Sequence, residues 1–356
     1  MLHIAVGYDY ELFLGGSCYT EEEVLLQPAT ELMKLYDELK VCFTFFADVC
    51  SLMRYRQLGM NEFPDRAEAQ LRNALQKGYD VQLHIHPQWL IAEKAGDRWV
   101  FEEAKYRLHA FTEHDPCWTK ERVINESIEY LNHFMQQADP EYTCAAYRAG
   151  GFSVQPEEEL LPLLAAKGII IDSSVIGGGC SHALPQQYDF RSLPDVPGWW
   201  FDPAKGYNHY TTAGNGMMFE VPVLGVRPGR DKLWLKSHGR QFSSGSTKGF
   251  SAGKNCGTKW EILTRKAKSL MLESCPLSFD NWDVDSLMWM VRRILKGHNI
   301  NEEELYVSVL GHPKLQNEEL LLNTSRFIER IQKEYGTGVK FETMRQVGKG
   351  IIGLNR

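Results

Sequence analysis

His84 and His86 stand two residues apart in the segment 81–87, where apolar residues alternate with them. Alternation with a period of two is typical of a β-strand, in which side chains two positions apart project from the same face. Pro87 cannot donate a hydrogen bond to a neighbouring strand, so the strand is predicted to end there. Two imidazoles on one face at a strand end are suited to share a metal ion.

Further polar residues follow apolar, strand-like runs in the same manner. They are Asp9, Glu11, Arg148, Asp172 and His312. The carboxyl ends of parallel strands form one rim of an α/β barrel, where active sites are built, so we expect these side chains to lie near the two histidines. Taken singly, each has a local alternative, because an acid can cap a turn and an arginine or histidine can make a structural hydrogen bond.

The order of elements predicts a parallel α/β sheet. Strand-like runs occur at 2–8, 41–48, 81–86, 144–148, 169–171, 217–223, 306–310 and 339–342. Segments of helical periodicity separate them, at 21–40, 65–77, 119–138, 156–167, 285–297 and 317–333. Alternation of strand and helix predicts parallel strands with right-handed crossovers. Because no change of composition divides the chain, we expect residues 1–356 to form a single barrel-like domain.

Two long segments interrupt this alternation. Residues 177–215 are rich in glycine, proline and aromatic residues, and residues 229–257 are rich in glycine, serine and lysine. Long loops inside a compact domain are commonly functional or disordered. We interpret the second segment either as a solvated loop or as a basic contact surface for an anionic substrate or carrier.

Composition narrows the class of protein. A net charge of −7 argues against a nucleic-acid partner. No run of about 18 apolar residues occurs, so no membrane span is expected, and the first residues resemble a strand rather than a secretory signal. The eight cysteines form no Cys-x-x-Cys pair and fit reduced thiols. We therefore expect a cytoplasmic protein.

The chemistry of such a rim follows from its donor types. Two histidines and one carboxylate leave an open position on a zinc ion. The ion polarises a carbonyl and lowers the pKa of a bound water. A second carboxylate can then serve as general base and a separate histidine as general acid. This set of groups is suited to the hydrolysis of an amide or an ester.

The order of the motifs resembles that of the polysaccharide deacetylase family, the NodB-homology carbohydrate esterases, over roughly residues 4–345. The motifs are Tyr8-Asp9-Tyr10-Glu11, Thr44-Phe45-Phe46, His84-Ile85-His86-Pro87, Tyr147-Arg148-Ala149-Gly150-Gly151, the run 168–175, and Leu310-Gly311-His312-Pro313. The resemblance implies an irregular (β/α) barrel of about seven parallel strands and a divalent metal ion, with zinc as the first choice. It also implies an N-acetylated sugar or polysaccharide as substrate, and a divergent branch without a signal peptide.

The same resemblance implies roles for single residues. Asp9 would be the catalytic base, Arg148 the residue that orients it, and His312 the general acid. The implied metal ligands are Glu11, His84 and His86. Residues expected to contact the substrate are Trp89, Gly150 and Asp172. Trp89 would offer an aromatic face to a sugar, although it could equally belong to the core, and Gly150 would allow close approach of the backbone.

The sequence departs from the family pattern in ways that leave alternatives open. The family's second acid is replaced by Tyr10, so the ligand role passes to Glu11. The family's histidines are four residues apart, a spacing that pairs His86 with Gln82, which would be a poor zinc ligand. Whether His86 or Gln82 completes the site, or His84 alone binds the ion while His86 contacts substrate, stays open. A clear Asp-x-x-x-Trp motif is missing.

We therefore expect a metal-dependent hydrolase of C–N bonds other than peptide bonds, which removes N-acetyl groups from a carbohydrate or glycan precursor. One alternative is a hydrolase of a non-sugar amide on the same fold. Another is a non-catalytic carbohydrate-binding barrel.

Overall fold

The computed structural model of the protein describes residues 1–14, 19–96, 98–181, 186–241 and 274–353. Its strands are β1 (Leu2–Tyr10), β2 (Thr44–Asp48), β3 (Asp80–Ile85), β4 (Glu93–Ala95), β5 (Arg98–Val100), β6 (Ala146–Ala149), β7 (Ile171–Asp172), β8 (Cys180–Ser181), β9 (Tyr188–Asp189), β10 (Trp199–Phe201), β11 (Met218–Glu220), β12 (Gly225–Val226), β13 (Cys275–Pro276), β14 (Leu305–Gly311) and β15 (Val339–Phe341).

Helices lie between most of the long strands. They are α1 (Gln27–Leu39), which follows a π-helical turn at Glu22–Leu26, α2 (Val49–Gln57), α3 (Glu62–Gln76), α4 (Lys120–Met135), α5 (Leu161–Ala165), α6 (Arg230–His238), α7 (Val284–Ile294), α8 (Glu318–Tyr335) and α9 (Met344–Gly353). Among the described residues, no helix is long and apolar enough to cross a membrane.

The main sheet is built from parallel strands in the order β11-β7-β6-β3-β2-β1-β14. The short strand β15 also runs parallel to β1, and β10 pairs with β11 in the antiparallel sense. Parallel strands need a crossover between them, and the helices that the periodicity predicted supply most of these crossovers.

Hydrogen bonds link the two ends of this sheet, so that it curls into an irregular barrel. The Ser308 amide of β14 donates to the Pro222 carbonyl just after β11, at 2.8 Å. Leu277 bridges the same gap, because its amide donates to Leu224 at 2.8 Å and its carbonyl accepts from Leu310 at 3.1 Å. The predicted fold, an irregular (β/α) barrel of about seven parallel strands, is confirmed.

Apolar faces on the helices hold the layers together. All nine residues of β1 are buried, as expected for a parallel strand covered on both faces. Helix α4 shows the matching pattern, since its buried residues recur at helical spacing. The Thr119 side chain caps this helix by accepting from the Arg122 amide at 3.2 Å, which fixes where the helix begins.

Two predictions of local structure were wrong. The helix predicted at 156–167 is a 3-10 turn at Glu157–Glu159 followed by the short α5, because Pro162 has no amide hydrogen and fits only the first turn of a helix. Residues 230–238, predicted to lie in a loop, form α6. The rest of that predicted loop, from residue 242 onward, lies outside the described residues.

Candidate active site

Neighbouring strands bring their polar residues into one row at the carboxyl end of the barrel. Asp48 of β2 lies opposite His84 of β3, which in turn lies opposite Arg148 of β6. Residues opposite each other in a parallel pair share a face of the sheet. Glu11 follows directly after β1 and continues this row. The structure therefore brings together side chains that are far apart in the sequence.

Glu11, His84 and His86 form a buried triad. Their ligand atoms lie within 4.8 Å of one another. His84 Nε2 is 3.5 Å from Glu11 Oε2, and His86 Nε2 contacts the same oxygen. All three atoms are shielded from water, and apart from these contacts with one another they have no hydrogen-bond partner among the described residues. Orphaned donor atoms that converge on one point are expected where a cation binds, and two imidazoles with a carboxylate suit zinc.

Both imidazoles are held in place by their surroundings. His84 Nδ1 lies 2.8 Å from the Arg148 carbonyl, to which it donates, so the lone pair is on Nε2 and points into the triad. The His86 amide donates to Asp48 Oδ1 at 3.2 Å. A Cβ at Gly150 would come within 2.8 Å of His86 Nδ1. The close backbone approach expected at Gly150 is therefore an approach to His86. The His86 ring can occupy its position because Gly150 has no side chain.

Asp9 is oriented by a fully buried arginine. Arg148 Nη1 donates to Asp9 Oδ1 at 2.6 Å and to the Gly7 carbonyl at 3.3 Å. Its Nη2 donates to the hydroxyls of Ser173 and Ser308, at 3.1 and 2.8 Å. The guanidinium also stacks over the Phe46 ring at 4.0 Å. Because Arg148 engages Oδ1, the other oxygen of Asp9, Oδ2, is the one that faces His312, 3.6 Å from its Nε2.

His312 forms the opposite side of the site and is paired with an acid. Its Nδ1 lies 2.7 Å from Asp280 Oδ2, while its amide donates to Asp280 Oδ1 at 3.1 Å. Burial alone would lower the pKa of His312, but the charge and hydrogen bond of Asp280, together with Asp9, raise it above the usual value. Its Nε2 lies 3.6 Å from Asp9 Oδ2 and 3.5 Å from Glu11 Oε1.

Lys314 reaches the triad of Glu11, His84 and His86 from the same loop as His312. Its Nζ donates to Glu11 Oε1 at 2.7 Å. Burial alone would raise the pKa of Glu11, but Lys314, His86 and His84 hold it well below its usual range. Glu11 is therefore ionised. One of its oxygens is engaged by the lysine, and the other faces the two imidazoles.

Gln82 is excluded as a ligand by its own hydrogen bonds. Its Oε1 accepts from the amides of Ala145 and Ala146 at 2.9 and 2.8 Å, and its Nε2 donates to Asp80 at 2.9 Å. Both ends of this amide are engaged and the side chain is fully buried. Of the two residues between which the sequence left the choice open, only His86 has a ring nitrogen beside Glu11.

Two expected substrate contacts are corrected by the structure. Trp89 is 0% exposed, because the 3-10 turn that begins at Pro87 folds it back against Trp99 and Phe101. A buried ring cannot offer a face to a sugar. Asp172 lies opposite Tyr147, the neighbour of Arg148, and therefore on the other face of the sheet. It bonds to Ser174 and Tyr207 away from the rim.

Three residues near the site were given no role by the sequence. They are Asp48, Asp280 and Lys314. Burial raises the pKa of Asp48 to about 6, and its Oδ2 has no hydrogen-bond partner in the described part of the chain. A signal for Asp48 was available in the sequence, because this residue stands at the end of the second predicted strand, just as other polar site residues stand at the ends of β1 and β3. Asp280 and Lys314 lie outside the regular strands. They are far apart in the sequence, and each reaches the site only in the folded chain.

No family model matches the sequence. A search of curated proteins also finds no match. Among similar solved structures is a probable polysaccharide deacetylase from Pseudomonas aeruginosa PAO1, with a TM-score of 0.48 and 14% identity, covering 98% of this chain and 90% of that chain. The Puue allantoinase gives 0.47 and 13%, covering 98% and 89%.

A further similar structure is the 4-alpha-glucanotransferase from Thermococcus litoralis, with a TM-score of 0.46 and 13% identity over 97% of this chain and 40% of that chain. These proteins are named for three different activities, and all three TM-scores lie below 0.5. The chemistry of this chain is therefore argued from its own site.

Proposed function

We propose that the chain is a metal-dependent hydrolase that removes N-acetyl groups from a carbohydrate or glycan precursor. The observation that supports this most is the convergence of three buried ligand atoms, Glu11 Oε2, His84 Nε2 and His86 Nε2, beside a second carboxylate and a carboxylate-paired histidine. This combination matches what amide hydrolysis needs: a cation, a base and an acid.

Zinc is the ion we propose, because two imidazoles and one carboxylate leave it an open position. When bound, a divalent cation at this site would supply Lewis acidity, which polarises a carbonyl oxygen and lowers the pKa of a water. The residues that would hold it are Glu11, His84 and His86. Asp48 would help to hold His86 in place, because its carboxylate accepts a hydrogen bond from the backbone amide of His86.

Asp9 is the general base of the proposed reaction. Its Oδ1 is occupied by Arg148, so the proton of the attacking water is accepted at Oδ2. The ion pair with Arg148 fixes the direction of this oxygen in a site where Asp9 is 2% exposed. Arg148 is therefore a positioning residue, since it acts on the substrate only through Asp9.

His312 is the general acid. Asp280 holds its Nδ1–H and raises its pKa, which favours the imidazolium form that can donate a proton from Nε2. That proton goes to the nitrogen of the leaving amine as its bond to the acyl carbon breaks. His312 is the more exposed side of the site, with 16% of its side chain accessible, so a substrate can approach Nε2 directly.

A second candidate is the hydrolysis of a non-sugar amide by the same residues. Burial of Trp89 removes the aromatic face expected for a sugar, and Trp199 is also buried, with its Nε1–H donating to the Tyr207 carbonyl. We keep the N-acetyl sugar as first choice because the motif order resembles the deacetylases. A panel of N-acetyl sugars and small amides, assayed for acetate and for free amine, distinguishes the two.

We also propose a single domain and a cytoplasmic location, without a nucleic-acid partner. Of the six cysteines in the described residues, four are buried, as expected for small core residues in a reducing compartment. The net charge of −7 disfavours binding to nucleic acid.

The proposal is tested by elemental analysis and activity together. We expect about one divalent ion per chain. His84→Ala should lose the ion, because it removes one of three donors. His312→Ala should keep the ion but lose turnover by about 10²–10⁴-fold. His114→Ala is the control, since this histidine is 87% exposed and bonds to nothing in the site. Stoichiometric metal in His84→Ala would contradict the ligand assignment.

A further inference from the structure

The rim holds two possible metal triads, and they share one residue. The first is Glu11, His84 and His86, and the second is Asp9, Glu11 and His312. The first uses Glu11 Oε2, which lies 3.5 Å from His84 Nε2. The second uses Glu11 Oε1, which lies 3.5 Å from His312 Nε2. A carboxylate placed in this way could bridge two ions about 3.5–4 Å apart, as in two-metal hydrolases.

Lys314 occupies the second of these positions. Its ammonium lies 2.7 Å from Glu11 Oε1, the oxygen that the second triad would use. It is held there by the Leu12 carbonyl at 3.5 Å and by the face of Phe13 at 5.3 Å. Only 12% of the lysine side chain is exposed. The ammonium is therefore a built part of the site rather than a solvated surface charge.

We propose that Lys314 takes the place of a second metal ion and keeps the centre mononuclear. A dication at the second triad would be repelled by the ammonium and would compete with it for Oε1. The first triad is not blocked, because Oε2 faces away from the lysine toward the imidazoles. Lys314 also neutralises one negative charge that would otherwise attract the second ion.

This role has a consequence for the chemistry, which rests on the proposed function. A second ion would bind Asp9 and His312, the base and the acid, and would remove both from proton transfer. By excluding that ion, Lys314 keeps Asp9 Oδ2 and His312 Nε2 available. Lys314 is thus a positioning residue whose effect is on metal stoichiometry before it is on turnover.

The experiment is metal titration of the whole protein with Zn²⁺ and Mn²⁺, followed by elemental analysis. We expect the wild type to saturate at one ion per chain and Lys314→Met to saturate at two. Lys314→Arg keeps the charge and should stay at one. Lys105→Met is the matched control, because Lys105 is also a partly buried lysine, 2.5 Å from Asp115, but lies outside the triads. Its stoichiometry should not change.

Two further measurements locate the second ion. In Lys314→Met, two Mn²⁺ ions bridged by one carboxylate should couple magnetically, which electron paramagnetic resonance detects. Adding His312→Ala to Lys314→Met removes a donor of the second triad alone, so the stoichiometry should return to one. Lys314→Gln provides a second neutral variant if the methionine variant does not fold.

The outcomes separate this inference from the proposed function. A folded Lys314→Met or Lys314→Gln chain that saturates at one ion overturns the inference, and so does a wild type that binds two. The first result leaves the hydrolase proposal standing, whereas the second also contradicts the single ion and the base and acid roles given to Asp9 and His312 in the proposed function. A wild type that binds no ion overturns both. Loss of turnover in Lys314→Met without a second ion would show a different role for the lysine and would likewise overturn the inference.

Discussion

A buried histidine lies among carboxylates near each end of β1, His3 of β1 itself at the amino end and His84 of β3 at the carboxyl end. The two histidines differ in how their ring nitrogens are bonded. At the amino end, both ring nitrogens of His3 are engaged, Nδ1 by Glu342 and Nε2 by Glu304. At the carboxyl end, His84 engages only Nδ1, with the Arg148 carbonyl. Its Nε2 has no hydrogen-bond partner within the described ranges.

Burial and residue type do not distinguish these ends, since His3 is 8% exposed and His84 is 1% exposed. The two ends differ in whether the buried ring nitrogens have hydrogen-bond partners. Leaving a buried polar atom without a partner costs about 1–3 kcal/mol, and such atoms are rare in native structures unless a ligand or water completes them. The amino end is therefore a closed structural cluster, whereas the rim has the character of a ligand site.

The largest effect on stability and turnover is expected from replacing Arg148, the buried cation of the rim. Arg148→Met leaves Asp9 buried without its cation and frees the hydroxyls of Ser173 and Ser308. We expect a loss of about 3–5 kcal/mol in the free energy of unfolding, as for other broken buried ion pairs, and loss of turnover. Urea denaturation and the acetate assay measure the two.

Arg122→Met provides the control for that variant. Arg122 makes an exposed i,i+4 pair with Glu126, and 53% of its side chain is accessible. Such pairs contribute less than about 1 kcal/mol. A loss of stability in Arg148→Met no greater than that in Arg122→Met would contradict the buried network described for the rim.

A smaller effect is expected from Asp280→Asn, which sharpens the comparison within the rim. Asp280 raises the pKa of His312, so its removal should lower that pKa. The imidazolium acid is then lost at a lower pH, and the alkaline limb of the pH profile of turnover should move toward lower pH. An unchanged alkaline limb in Asp280→Asn would assign that limb to another group.

The smallest effect is expected at the amino end, from His3→Gln. Burial alone would lower the pKa of His3, but Glu342 and Glu304 raise it above 6.5. A raised pKa means that the charge contributes stability fully below the unfolded value of about 6.5, and that this is lost as pH rises through the folded value. The variant should therefore lose on the order of 1 kcal/mol in mildly acidic buffer and less in alkaline buffer.

Thermal unfolding of wild type and His3→Gln at the two pH values checks this prediction. Metal content and turnover should be unchanged, because both nitrogens of His3 are already satisfied by protein groups. A loss of metal on mutating His3 would erase the proposed distinction between the two ends of β1.

Much of this site could be predicted because strand geometry is periodic. Alternation in β3 placed His84 and His86 on one face, and the same rule at β1 placed Asp9 and Glu11 there. The rule failed at Asp172, which lies opposite Tyr147 of β6 and not opposite Arg148, so its side chain projects from the other face of the sheet. A shift of one residue reverses the face of a side chain, and the pairing register of two separate strands is not contained in either strand alone.

Residues outside regular strands were harder to predict. Asp280 and Lys314 reach the rim from irregular segments that flank α7 and β14, so no period indicated where they point. Trp89 was expected either to face the substrate or to belong to the core, and the turn after Pro87 puts it in the core. Such reversals depend on backbone turns whose direction the sequence pattern does not specify.

The position of β1 has a consequence for how the protein is made. Strand β1 leaves the ribosome before β14, with which it pairs, and Lys314 lies 303 residues beyond Glu11. At about 5–20 residues per second, the wait is roughly 15–60 s. During synthesis this apolar strand therefore lacks one of its neighbours until β14 has been translated, and over that time its unpaired edge is exposed to aggregation.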